Sequence, residues 1–137
     1  GIGGSSGALF GTLFMTLAKG KNIDSGIDFN KSVEIFYDAV QAVKMRGKAD
    51  IGEKTMMDVL IPVANTLKEL NQKEESMETI LNKVIEVARE GMLSTKELIA
   101  TKGRASFLGE RAKGHIDPGA RSSQIMITTV CESVINS

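Results

Sequence analysis

The chain has 137 residues, 42% of them hydrophobic and 25% charged, with 17 basic side chains balancing 17 acidic ones. That length is about one domain, able to bury roughly two-thirds of its unfolded surface in an ordinary core. Zero net charge argues against a nucleic-acid or membrane binder, and a single cysteine and a single histidine exclude a disulfide framework and leave little for a metal cluster.

In chain order, residues 5–18 are apolar and small, and their spacing predicts a helix behind the loop Gly3-Gly4-Ser5-Ser6-Gly7. Asp28 can cap a helix over 29–46, where Val33, Phe36, Tyr37, Val40 and Val43 fall on one face. Gly47 ends it, and Lys44 and Arg46 suit the negative end of its dipole. A third helix over 55–71 carries Met56, Val59, Leu60, Val63, Leu67 and Leu70. Pro62 inside it should kink the helix or open one backbone bond. Ser76 caps a fourth helix expected to run to about residue 101, with Gly103 as its stop. Residues 104–116 read as a loop with at most one helical turn. Asp117 as N-cap and Pro118 as first helical residue start a last helix reaching about residue 135. The β-branched run 125–130 also fits a strand, but the Asp-Pro start favours helix. The result is an all-α, up-and-down antiparallel bundle of about six helices. No apolar run reaches 18 residues, and the start lacks the charge pattern of a signal peptide, so a soluble, cytoplasmic protein is expected.

Three segments invite chemistry. Glycines in the opening loop let a backbone approach phosphate closely, and the following helix offers free amides and a positive dipole end, with Ser5 and Ser6 adding hydroxyls. A plain N-terminal cap competes with that reading. Residues 47–55 nearly match the P-loop spacing, but Glu53 intrudes before Lys54 and the segment follows a helix, so a P-loop is rejected. The stretch 102–119 is long, glycine-rich and charged, and Arg104 and Arg111 could hold phosphate oxygens through their planar forks. A solvated surface loop with internal ion pairs is its competing reading. His115 has no metal-ligating partner and reads as a loop residue bonded locally; Cys131 reads as a small buried hydrophobe. Met56 and Met57 fit either a core or the flat face of a purine.

Taken together, four motifs resemble the DhaL family, the nucleotide-binding subunits of bacterial dihydroxyacetone kinases, and the equivalent C-terminal domain of single-chain kinases. They are Gly3 through Thr12, Arg46 through Asp58, Lys102 through Arg111, and Gly114 through Ala120. The resemblance covers nearly the whole chain, in family order and spacing. It implies a barrel of eight antiparallel helices, of which about six are present, with residues 1–137 forming one nucleotide-binding domain. It further implies that ADP stays bound like a coenzyme and is recharged to ATP by a phosphotransferase-system phosphoprotein, DhaM. The phosphoryl group then passes to dihydroxyacetone on a separate subunit, DhaK. By position, Ser5, Ser6 and Arg104 should meet the phosphates, with Arg104 as the catalytic residue. Gly47 and Met56 should border the adenine, and Asp117, Pro118 and Gly119 should form a further wall. The family's magnesium ligands form an Asp-x-Asp-His cluster upstream of the glycine loop. The chain reads as truncated ahead of that loop, so no metal ligand is assigned within it. A non-enzymatic helical module that docks a protein through the same loops is the rival from another class.

Overall fold

Asp28, Ser76 and Asp117 each cap a helix in the computed structural model, which describes residues 5–19, 28–47, 50–99 and 113–137. The helices are α1 (Ser5–Lys19), α2 (Phe29–Gly47), α3 (Met57–Gln72), α4 (Met77–Ser94) and α5 (Pro118–Ile135). A 3-10 turn (Thr95–Glu97) follows α4, and no strand occurs among the described residues. The caps act through the chemistry the sequence suggested. The amide of Lys31 donates to Asp28 Oδ1 (2.7 Å), that of Thr79 to Ser76 Oγ (3.1 Å), and that of Ala120 to Asp117 Oδ2 (3.0 Å). The Asp117 cap settles the 125–130 run as helix.

One helix end differs from expectation by several residues, and Pro62 opens one backbone bond as expected. Helix α4 stops at Ser94 rather than near residue 101. There Ser94 Oγ donates to the Gly91 carbonyl and Thr95 Oγ1 to the Met92 carbonyl, both at 2.7 Å. These hydroxyls satisfy the last carbonyls in place of further helical amides, and Leu98 is already extended. Helix α3 continues through Pro62, which lacks the amide that would pair with the Asp58 carbonyl. That carbonyl faces Gly91 of α4, so closely that a Cβ there would stand 2.3 Å from it. The opened bond thus becomes the point where α3 and α4 touch backbone to backbone.

Helix α3 is the most enclosed element, with Met57, Val59, Leu60, Ile61, Val63, Ala64 and Leu67 all buried. Phe10 and Phe14 of α1 meet Phe36 of α2 edge-on, with ring centroids 6.1 and 5.7 Å apart. Each helix packs on the next, and α5 returns to α1, so the five close into a ring. Directions alternate around it. Four residues link α3 to α4, and Lys44 of α2 reaches Asp50 ahead of α3 (3.7 Å). At the opposite end, Ala18, Met77 and Ile135 meet around one groove, so α4 begins where α1 and α5 end. An odd number of alternating helices leaves one parallel pair. That pair is α1 and α5, and their N-termini lie side by side.

Candidate functional site

The segment ahead of α3 is organised by Asp58, only 1% exposed. Its Oδ1 accepts from the Gly52 amide (2.6 Å) and its Oδ2 from the Thr55 amide (2.9 Å). Thr55 Oγ1 in turn accepts from the Met57 amide (3.0 Å), so the amides of the turn leading into α3 are met by side-chain oxygens. The turn places Gly52 at φ +93° and Lys54 at φ +60°. For a lysine that left-handed backbone costs about 1–3 kcal/mol, so surrounding contacts must hold it.

Lys54 is 4% exposed, and its ammonium donates to the carbonyls of Thr95 and His115. Thr95 Oγ1 accepts from the Asp117 amide (3.0 Å), and the Gly114 amide donates to the Lys96 carbonyl (2.6 Å). A polar junction therefore joins three segments distant in sequence: the turn before α3, the end of α4 and the start of α5. Burial raises the Asp117 carboxyl above its ordinary value, against the opposing pull of the Ala120 amide and the Lys54 charge.

In front of this junction lies a cleft of about 480 Å³, lined by Gly7, Phe10, Met56, Pro118, Gly119, Ser122, Ser123 and Met126. Such a volume suits a small ligand. One rim carries the first turns of α1 and α5, neither of which holds an acidic residue. Two positive dipole ends side by side favour an anion between them. The other rim is apolar and sulfur-rich. Gly119 permits the close fit, since a Cβ there would come within 3.2 Å of Asp117 Oδ2 and 3.5 Å of Met56 Cβ.

The structure brings together Met56, Pro118 and Gly119 from the residues singled out by sequence. Asp117 stands behind them as the α5 cap. Ser5 and Ser6 are the first residues of α1, immediately ahead of Gly7 at the cleft, but their side chains are not among those described. Gly47 ends α2, is exposed, and is not one of the described residues lining the cleft. Arg104 and Arg111 lie outside the described residues, as does any helical turn over 104–112. His115 enters the junction through its carbonyl, while Cys131 and Met57 are core. Sequence reasoning missed Lys54, Asp58 and Thr95 in the junction. It also missed Ser122, Ser123 and Met126, which share a face of α5 with Gly119, although that i, i+3, i+4, i+7 spacing was legible. Among the described residues no group of three or more His, Cys, Asp or Glu is placed to hold a metal ion, so they do not fit a magnesium site. None of the helices they form is long and apolar enough to cross a membrane.

Residues 1–132 match the model of the DAK2 domain family. The chain is similar to the ADP-binding subunit DhaL of the PEP-dependent dihydroxyacetone kinase of Escherichia coli, 39% identical over 92% of this chain and 60% of that protein. It is also similar to the corresponding subunit of kinase 1 of Listeria innocua, 37% identical over 98% of this chain and 62% of the relative. A probable dihydroxyacetone kinase of Dictyostelium discoideum is 40% identical over 91% of this chain but only 21% of its own length. The chain thus spans about three-fifths of the length of the two bacterial relatives.

Proposed function

From the premise that this chain belongs to the DAK2 domain family, we propose that it is the nucleotide-carrying part of a dihydroxyacetone kinase. In this reading residues 1–137 act as one domain that holds ADP and ATP. The γ-phosphoryl group passes to dihydroxyacetone bound on a DhaK-type subunit, and a DhaM-type phosphotransferase-system phosphoprotein recharges the ADP. The observation that carries the reading is the cleft between the paired N-termini of α1 and α5, faced by an apolar wall. Amides of those first turns, with Ser5, Ser6 and Arg104, take the phosphates. Met56, with Phe10 and Met126, takes the adenine face; Gly47 borders it, and Asp117, Pro118 and Gly119 form the remaining wall. Magnesium belongs to the same proposal, with ligands that the described residues do not supply.

Calorimetric titration of the intact protein with ADP and magnesium tests the nucleotide site, and absence of binding would hand the case to a protein-docking module. Arg104→Ala in the intact protein should lower turnover at least about a hundredfold, the usual loss of a charge-stabilising donor, while its unfolding midpoint moves little. Equal loss of both would make Arg104 structural. The Dictyostelium relative favours a second reading, a domain of a longer single-chain kinase. Turnover on free ATP without a phosphoprotein would support it.

A further inference from the structure

The buried ammonium of Lys54 has no part in the nucleotide contacts above, yet it occupies a costly place. Its backbone is left-handed, and its charge lies 4% exposed instead of reaching water on a flexible stem. Two carbonyls compensate it. One belongs to Thr95, just past the end of α4, where the helix presents its negative pole. The other belongs to His115, three residues ahead of Pro118. Asp58 and Asp117 add negative charge nearby, both acting in the same electrostatic field as Lys54.

We propose that Lys54 is a positioning residue of the nucleotide cleft. Its ammonium clamps the segment carrying Met56 to the segment carrying Pro118 and Gly119, and so fixes the separation of two cleft walls. The topology supports this role. Met56 follows Lys54 by two residues, and α3 begins directly after it. The 113–117 segment is tied to the end of α4 by the Gly114 amide and by the Asp117 amide. Lys54 adds the tie from that pair of segments to the third. The Met56 side and the Gly119 side approach each other closely, and van der Waals contact alone resists sliding poorly. Without Lys54, a ligand spanning both walls would have to restore their spacing on binding, and its affinity would fall by that amount.

The proposal rests on the nucleotide reading, and one experiment separates the two. ADP affinity of the intact protein is measured by calorimetry for wild type, Lys54→Met and Lys54→Gln, at a temperature where circular dichroism shows each to be fully folded. Lys54→Met keeps the length of the stem and removes the ammonium; Lys54→Gln restores uncharged N–H donors on a shorter arm. The expected result is a dissociation constant raised tenfold or more in Lys54→Met and by less in Lys54→Gln. Hydrogen exchange in residues 113–119 of the nucleotide-free variants should be faster by a similar ordering, with α3 unaffected. A merely structural lysine would lower the unfolding midpoint and leave the affinity of the folded protein alone. Affinity within twofold of wild type in whichever variant folds overturns the proposal, and so does failure of both to fold. Wild type that binds no ADP sinks the nucleotide reading instead.

Discussion

Burial lifts the Asp117 carboxyl above its ordinary value near 3.8, because lost hydration outweighs the amides of Ala120 and Gly119 and the Lys54 ammonium. A carboxyl raised on folding binds more protons in the native than in the unfolded state throughout the interval between its two values. Stability therefore falls as pH rises through that interval, and the deficit is constant above it. Asp117→Asn, an equally good helix cap, removes the titration. Urea unfolding from pH 3.5 upward should show the variant gaining on wild type as pH rises above about 3.8, then running parallel. A constant difference at all pH values would place the Asp117 carboxyl in a solvent-like environment. The cap itself was legible, since capping acts within four residues of chain. The role of Lys54 was not, because the carbonyls that satisfy it lie 41 and 61 residues away in the chain. The near-P-loop spacing drew attention to this segment even though the P-loop itself was rejected.

At the scale of elements, hydrophobic periodicity and capping residues placed all five helices, and only the ends moved. The early stop of α4 was hidden because Ser94 and Thr95 look like ordinary helical residues until their hydroxyls are seen turning back to the chain. Pro62 was legible as a disturbance, but its consequence depends on a glycine 29 residues later. The Asp58 carbonyl freed by Pro62 and the bare Cα of Gly91 fit each other, and neither sequence position alone reveals it. Gly91→Ala would set a methyl group 2.3 Å from that oxygen, with backbone on both sides and no flexible side chain to yield. The helices must separate, at about 1–3 kcal/mol or more. A lower urea midpoint at unchanged slope is the expected readout. Gly11→Ala is the paired control. Nothing lies within 4 Å of a Cβ there, and alanine in a helix interior should add about 0.5–1 kcal/mol. Equal effects at the two positions would mean that the α3–α4 approach is not tight.

For the whole molecule, the ring couples its two ends through α5. Gly119 in the first turn of α5 lines the cleft, while Cys131 lies three turns on, fully buried in the core. Twelve residues of helix span about 18 Å, so the thiol is remote from any ligand in the cleft. Its environment pushes the thiol up to about 12, first by burial and then by the neighbouring Glu132 charge. Alkylation requires the thiolate, so the native protein should react only through opened molecules. Iodoacetamide labelling of Cys131, followed by peptide mass, then reports how often α5 leaves the core. Should the ring open as one unit, ADP in the cleft must suppress that opening. At a ligand concentration of about 100 times the dissociation constant, the native state gains about 2.7 kcal/mol, and labelling should slow about a hundredfold. Bound ADP that leaves the rate unchanged would mean that the distal half of α5 opens by itself. The cleft and the far end would then be separate cooperative units, and the closed ring would be a geometric fact without thermodynamic coupling.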